Sequence, residues 1–149
     1  MIVYRISIFK YSTKLNASGF PARWNSKDTK VIYTADSKAL ACLENVVHRN
    51  SRSLQKGFKQ MNIAIPGEII MEEIKETDLK HGWKDFLQMH YTQSLGDAWE
   101  SAAKTAVLKV PSAIIPGDSN YLLNPAHKDF LKIKLLKTVP FDFDSRIKM

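Results

Sequence analysis

Residues 2–9 read Ile-Val-Tyr-Arg-Ile-Ser-Ile-Phe, and this stretch predicts the first β-strand of the chain. Two sets of side chains alternate along it with the period of a strand: Ile2, Tyr4, Ile6 and Ile8 on one face, and Val3, Arg5, Ser7 and Phe9 on the other. The second face is apolar at both ends, with Arg5 in its middle. A charged side chain therefore stands where a core pattern expects an apolar one.

A short strand, Lys30 to Thr34, leads into a predicted helix from about Asp36 to Arg49, where Asp36 or Ser37 can cap the first turn. Five apolar side chains fall within an arc of about 120° on the helical wheel, as a core-facing stripe requires: Ala39, Leu40, Leu43, Val46 and Val47. Glu44 lies roughly 40° beyond Leu40. We expect its carboxylate to be partly buried at the margin of the apolar face.

The remaining sequence predicts further strands, short helices and long connections. They are a loop over 11–30, an exposed basic connection from Arg49 to Lys59, strands at Met61–Ile65 and Ala106–Val110, a helix at Leu95–Thr105, a loop at Asp118–Pro125, a short helix at Ala126–Leu131 and a strand pair within Ile133–Phe143. Pro111 predicts a bend that displays Ser112. Strands and helices that do not alternate regularly indicate an α+β fold with a mixed β-sheet.

The composition bounds the class of protein. A length of 149 residues fits one domain over 1–149, and 44% hydrophobic with 25% charged residues is typical of a soluble globular chain. No apolar run approaches the ~18 residues that cross a bilayer, so no membrane association is expected. Cys42 is the single cysteine, which excludes an intramolecular disulfide and favours a reducing compartment, the cytoplasm.

Several common kinds of site are absent from the sequence. The four histidines show no H-x-x-x-H spacing, so we expect no metal. The glycines form neither G-x-G-x-x-G nor G-x-x-x-x-G-K, which disfavours nucleotide binding by those loops. No serine lies in a G-x-S-x-G elbow, which disfavours a serine hydrolase of that type.

A set of polar residues remains in positions where the pattern expects apolar ones: Arg5, Arg23, Tyr33, Glu44 and Ser112. Each has an ordinary structural explanation by itself, such as an edge strand, a surface ion pair or a turn. Together they suit one chemistry. Two guanidinium groups match the oxygens of a diphosphate, a tyrosine ring stacks on a flat heterocycle, and a partly buried carboxylate stabilises a positive centre.

The sequence resembles the RES-domain family, the toxin half of bacterial toxin–antitoxin pairs. Motifs in family order carry the resemblance: Tyr4-Arg5-Ile6-Ser7, Ala22-Arg23-Trp24-Asn25, Val31-Ile32-Tyr33-Thr34-Ala35, Leu40-Ala41-Cys42-Leu43-Glu44, Thr92-Gln93, Gly96-Asp97-Ala98-Trp99, Val110-Pro111-Ser112-Ala113, Asn120-Tyr121-Leu122-Leu123-Asn124-Pro125 and Pro140-Phe141-Asp142-Phe143-Asp144. They span nearly the whole chain. The family's arginine, glutamate and serine fall on Arg23, Glu44 and Ser112.

The resemblance implies a fold like that of ADP-ribosyltransferases and an enzyme that degrades NAD by phosphorolysis or hydrolysis of the nicotinamide–ribose bond. By this likeness Arg5 and Arg23 hold the diphosphate or an attacking phosphate, Tyr33 stacks near the nicotinamide, Glu44 stabilises the ribose cation, and Ser112 hydrogen-bonds the substrate. NAD is then a substrate, inorganic phosphate is a possible co-substrate, and no cofactor is implied.

The resemblance also implies a partner, an Xre-like antitoxin that covers the active site in a hetero-oligomer and supplies its only link to DNA. The sequence departs from the family pattern at two places. Phe20-Pro21-Ala22 stands where many members have paired glycines, and Asp28 stands where glycine is frequent. We expect altered loop geometry from these departures rather than lost activity.

Two other functions are left open by the residues. ADP-ribosyl transfer to a macromolecule uses the same bond cleavage with a different acceptor. A basic nucleic-acid-binding module is suggested by the net charge of +7 and by the cluster Arg49, Arg52, Lys56 and Lys59, although no nucleic-acid-binding motif accompanies the charge.

Overall fold

The computed structural model describes residues 1–54 and 57–147. Nine helices and strands build the described fold: β1 (Ile2–Ile8), β2 (Ile32–Ala35), α1 (Lys38–His48), β3 (Phe58–Ala64), β4 (Met71–Glu73), α2 (Met89–Ala102), β5 (Val107–Pro111), β6 (Ser119–Leu123) and β7 (Lys134–Phe141). Short 3-10 turns lie between several of them. Ser37 caps α1, since its side chain accepts a hydrogen bond from the amide of Leu40.

The strands form one seven-stranded sheet in the order β4-β5-β6-β2-β1-β3-β7. The pair β4–β5 is parallel, and the other neighbours are antiparallel. The prediction of an α+β fold with a mixed sheet is therefore confirmed. Within the described residues, no helix is long and apolar enough to cross a membrane.

The junction between β1 and β2 is the weakest pairing in the middle of the sheet. β1 pairs with β3 along all of Ile2–Ile8, whereas it meets β2 at the single register pair Tyr4–Ala35. The sheet therefore consists of two well-paired groups, β4-β5-β6-β2 and β1-β3-β7, which touch at one point and separate beyond it.

Both faces of the sheet are covered by buried side chains. One face carries a cluster that includes Val3, Ile32, Ile63, Val107 and Leu123. On the other face α1 packs Leu40 and Ala41 against Ile6 and Ala35, and α2 packs Trp99 near Leu108 and Leu122. This burial of β1 on both sides explains why its two faces are largely apolar in sequence.

The predicted loop over Asp118–Pro125 is wrong, because residues 119–123 form β6 between β5 and β2. Asp118, Asn120 and Asn124-Pro125 gave this segment the composition of a turn. A strand buried on both faces shows no alternation of polar and apolar residues, so nothing in its pattern marked it as central.

Other boundaries also differ from the predictions. The helix predicted from Leu95 begins at Met89, the strand predicted from Met61 begins at Phe58, and the predicted strand pair within Ile133–Phe143 is the single strand β7. The predicted helix over Ala126–Leu131 is a 3-10 turn at Lys128–Lys132. The added residues include buried ones, Thr92 in the helix and Phe58 and Gln60 in the strand.

Candidate active site

A cavity of about 600 Å³ opens beside the junction of β1 and β2. Four of the five predicted site residues line it, namely Arg5, Arg23, Tyr33 and Glu44. They come from β1, the loop before β2, β2 itself and α1, so residues far apart in sequence meet at one place. Ser112 is not among the lining residues, although the adjacent Ala113 is.

The loop that carries Arg23 is held by polar side chains of α2. Gln93 donates from Nε2 to the carbonyl oxygen of Ala22 at 2.9 Å. The carboxylate of Asp97 accepts hydrogen bonds from the backbone amide of Ser26 at 2.9 Å and from its hydroxyl at 2.6 Å. Gln93 and Asp97 are one helical turn apart, so one face of α2 fixes the loop on both sides of Arg23.

Between these two anchors the loop touches the backbone of α2. A Cβ atom added at Gly96 would lie 1.7 Å from the carbonyl oxygen of Trp24. The close contact between the loop and the helix backbone is therefore possible only because residue 96 is a glycine without a side chain. Trp24 itself is 3% exposed and packs 5.8 Å from the ring of Trp83, which buries the loop beside Arg23.

Tyr33 fixes the same loop from the sheet. Its hydroxyl accepts a hydrogen bond from the amide of Trp24 at 3.0 Å and donates one to Oδ1 of Asn25. Burial raises the pKa of Tyr33 above its ordinary value, so the phenol is neutral. The hydroxyl is thus engaged with the loop, while the residue still lines the cavity.

Asp28 explains one departure from the family pattern. Its φ is +71°, in the left-handed region that favours glycine, and its amide donates to the carbonyl of Gly19 at 2.8 Å. Aspartate tolerates this conformation better than most residues. The loop therefore keeps a turn there without glycine.

Arg23 faces both an aromatic ring and the carboxylate of the site. Its Nη1 donates to the carbonyl of Trp83 at 3.2 Å, and its guanidinium carbon lies 6.0 Å from the centre of the Trp83 ring. Burial lowers the pKa of Arg23, and the negative charge of Glu44 is the strongest opposing influence. Arginine stays protonated under such shifts. The cavity is therefore lined by the cationic guanidinium group of Arg23 and by the carboxylate of Glu44.

Arg5 bridges the two groups of strands. Its Nη1 donates to the carbonyl of Tyr33 at 2.9 Å, close to the point where the ladder between β1 and β2 stops. Burial lowers the pKa of Arg5, and the positive charge of Arg49 lowers it further. The Arg5 side chain therefore links β1 to β2 where backbone pairing is absent. The same side chain lies in the wall of the cavity.

Glu44 is held by an amide of the sheet. Asn120 Nδ2 donates to Glu44 Oε1 at 3.1 Å and also to the carbonyl of Thr34 at 3.2 Å. The other oxygen, Oε2, lies 3.5 Å from Nε2 of His48, one turn along α1. The Glu44 side chain is 31% exposed, which confirms the prediction of a partly buried carboxylate at the helix margin.

The sequence reasoning missed Asn120 and Arg49, which both line the cavity. The sequence pattern predicts a loop for Asn120 and an exposed connection for Arg49. Of the other residues in that basic cluster, Lys59 lies in β3 and Lys56 lies outside the described residues. Glu44 and Asn45 each precede by four positions a polar residue at the end of the helix, His48 and Arg49, and this spacing is the available signal.

Ser112 is buried at the end of β5 and 1% exposed, which corrects the prediction that the bend displays it. Its Oγ accepts hydrogen bonds from the amides of Ile114 and Ile115, both at 3.0 Å. Its own amide donates to the carbonyl of Asp118 at 2.9 Å. In this structure Ser112 shapes the turn that brings Ala113 and Ile114 to the cavity.

A family model described as RES domain matches residues 2–144 of the chain. The chain belongs to the RES-domain family. The resemblance seen in the motifs is therefore confirmed, and the match spans every strand and helix described above.

Two curated toxins are similar to this chain. The chain is 33% identical over 153 residues to "Toxin Res" of Yersinia enterocolitica, covering 99% of this chain and 100% of the relative. It is 38% identical over 127 residues to the "Prs ADP-ribosylating toxin" of a Sphingobium species, covering 84% of this chain and 79% of the relative. The prediction of a RES-domain toxin is confirmed at this level.

A solved structure shares the fold. The crystal structure of the Mycobacterium tuberculosis MbcT–MbcA toxin–antitoxin complex contains a chain that matches with a TM-score of 0.78 at 17% identity, covering 95% of this chain and 84% of that one. At this identity the likeness concerns the fold.

The lining of the RES-domain cavity carries charges of both signs. Three guanidinium groups, of Arg5, Arg23 and Arg49, share it with the carboxylate of Glu44. Such a set attracts a ligand with negative groups at one part and a positive centre at another. Among the described residues no group of three or more His, Cys, Asp or Glu is placed to hold a metal ion, and the expectation of no metal stays a prediction.

Proposed function

We propose that this RES-domain toxin is an enzyme that cleaves the bond between nicotinamide and ribose in NAD. The observation that carries the proposal is the carboxylate of Glu44, tied to Asn120 and facing a cavity that Arg5 and Arg23 also line. NAD offers matching chemistry, because it joins an anionic diphosphate to a ribose that becomes cationic as nicotinamide leaves. The arginines bind the diphosphate, and Glu44 stabilises the ribose.

The reaction follows from where charge develops. The bond from ribose C1′ to the ring nitrogen breaks, the bonding pair leaves with nicotinamide, and the ring loses its positive charge. The positive charge appears on the ribose, where a carboxylate stabilises the transition state more than the ground state. Inorganic phosphate then attacks C1′ to give ADP-ribose 1-phosphate, or water attacks and releases a proton to give ADP-ribose. The ring of Tyr33 packs against the nicotinamide end.

Nicotinamide release from NAD tests this function directly. We expect Glu44→Gln to lower the rate about 10²-fold or more, because it removes the charge that faces the ribose and keeps the shape of the side chain. Glu68→Gln is the matched control, since Glu68 is exposed and does not line the cavity. Parallel reactions with and without phosphate separate phosphorolysis from hydrolysis. Full activity of Glu44→Gln would overturn the role of this carboxylate.

A second candidate activity is transfer of ADP-ribose to a macromolecule. The name of the Sphingobium relative, an ADP-ribosylating toxin, favours it. Transfer and simple cleavage use the same groups to ionise the ribose, and they differ only in the acceptor that attacks C1′. NAD labelled in the adenosine part decides between the two: label retained on protein or nucleic acid supports transfer, whereas free ADP-ribose or its 1-phosphate as the main product excludes it.

An antitoxin completes the proposal. We expect an Xre-like partner that covers the cavity, and the expectation of a partner is supported by a solved toxin–antitoxin complex in which one chain shares the fold. Contact with DNA then occurs through the partner, and action in the cytoplasm fits the single cysteine, Cys42. Expression of the chain alone should arrest growth, and expression of Arg23→Ala at equal level should not. Equal toxicity of the two forms would contradict the assignment of the cavity as the toxic site.

A further inference from the structure

Arg49 is fixed in the cavity wall by a buried amide. Asn45 is 9% exposed, and its Nδ2 donates to the carbonyl of Ile6 in β1 at 2.9 Å. The Oδ1 of the same side chain accepts a hydrogen bond from Nε of Arg49 at 3.0 Å. Asn45 therefore ties the guanidinium group of Arg49 to the strand that carries Arg5.

Arg5 and Arg49 both line the cavity. The pKa of Arg5 is lowered by burial and, after that, by the positive charge of Arg49. Two neighbouring cations in the wall of the cavity repel each other. An anion bound near both of them is attracted to each and offsets their repulsion. The guanidinium fork matches phosphate oxygens better than a point charge does.

Two further features favour a cation at position 49. Its guanidinium carbon lies 5.3 Å from the centre of the Phe58 ring, and it directly follows the last turn of α1, where the helix dipole favours a cation. Either contact accounts for a positive residue at this point of the helix.

We propose that Arg49 and Arg5 form a phosphate-binding subsite of the cavity, held in place by Asn45. The subsite rests on the proposed function and specifies where its phosphate chemistry occurs. Two sources supply the same phosphoryl group: inorganic phosphate that attacks the ribose, or the diphosphate of NAD. The two sources are distinguished by which substrate loses affinity when Arg49 is changed.

The test compares Arg49→Gln, Arg49→Lys and the control Arg146→Gln, which removes an exposed arginine paired with Asp144 outside the cavity. KM values for NAD and for phosphate are measured separately from nicotinamide release. We expect Arg49→Gln to raise one of these KM values about 10-fold or more, because it removes a charge-assisted contact with phosphate. Arg49→Lys should recover part of the loss, and Arg146→Gln should match the wild type.

The two KM values of Arg49→Gln show which phosphoryl group the subsite binds. A raised KM for phosphate assigns the subsite to the attacking phosphate, and a raised KM for NAD assigns it to the diphosphate. Unchanged KM values for both substrates in a folded, active Arg49→Gln variant overturn the subsite and leave the proposed function standing.

A binding experiment separates the subsite from the activity. If the wild-type chain releases no nicotinamide, the proposed function fails, and calorimetric titration with inorganic phosphate and with pyrophosphate judges the subsite alone. Binding that weakens about 10-fold in Arg49→Gln supports the subsite. Equal binding by both forms, or no binding by the wild type, overturns it.

Discussion

At the scale of single residues, each functional side chain is defined by the partner that holds it. Glu44 is oriented by Asn120, Arg23 donates to the carbonyl of Trp83, and Arg5 donates to that of Tyr33. Polar groups that leave water need such partners, since an unpaired buried donor or acceptor costs about 1–3 kcal/mol. The sequence indicated Glu44 through the helical period, but it contained no sign of Asn120 as its partner.

The hydroxyl of Ser112 stabilises the turn after β5. Ser112→Ala leaves the amides of Ile114 and Ile115 without their acceptor, so we expect the free energy of unfolding to fall by about 1–3 kcal/mol. Urea denaturation measures the change. Ser101→Ala, at an exposed serine near the end of α2, should stay within about 0.5 kcal/mol of the wild type.

The kinetics of the same variant separate two roles of Ser112. A turn-shaping residue alters stability, whereas the direct substrate contact implied by the family resemblance alters the KM for NAD. An unchanged free energy of unfolding together with a raised KM would contradict the structural role argued from the hydrogen bonds.

At the scale of elements, α2 and the loop over 19–30 act as one unit. Gln93 and Asp97 bond the loop at Ala22 and Ser26, and Gly96 admits the backbone of Trp24 between them. The helix predicted from Leu95 leaves out Gln93, which belongs to the Thr92-Gln93 motif. Periodicity predicts which residues of a helix share a face, but it does not say which loop that face receives.

Gly96→Ala should destabilise the protein although alanine is the better helix former by about 1 kcal/mol. The added Cβ would meet the Trp24 carbonyl at 1.7 Å, so the loop must move. We expect a net loss of about 1–3 kcal/mol in the free energy of unfolding. Displacement of Arg23 by about 1 Å should lower nicotinamide release by up to 10²-fold.

Gly67→Ala is the control for this prediction. A Cβ at Gly67 meets nothing within 4 Å, and its φ lies outside the left-handed region. Stability and activity should therefore match those of the wild type or rise slightly. A Gly96→Ala variant as stable and active as Gly67→Ala would refute the close packing of loop and helix.

At the scale of the whole molecule, the cavity exists because the sheet is incompletely closed at its centre. β1 and β2 share the single register pair Tyr4–Ala35, and the Arg5 side chain bonds to the Tyr33 carbonyl where pairing ends. A fully paired junction would leave no room for a ligand between the two groups of strands. Stability at this point therefore depends on a residue that also faces the cavity.

Arg5→Met should loosen the junction selectively. The variant keeps an unbranched apolar stem but loses the bond to Tyr33, so amides in residues 2–8 and 31–36 should exchange hydrogen about 10-fold faster or more. Protection within β5 and β6 should change less. Hydrogen exchange followed by mass spectrometry measures both, with Arg146→Met as the control. Equal acceleration across the whole sheet would argue against a local junction.

The sequence predicts the class of fold, the first strand, the helix with Glu44 at its margin and four residues that line the cavity. These features follow from short-range periodicity and from motifs that local spacing preserves. Only the packed fold shows that β6 is a central strand, that Ser112 is buried in a turn and that Arg49 lines the same cavity as Arg5. Burial and hydrogen-bond partners depend on which distant elements pack together, and no local pattern encodes that choice.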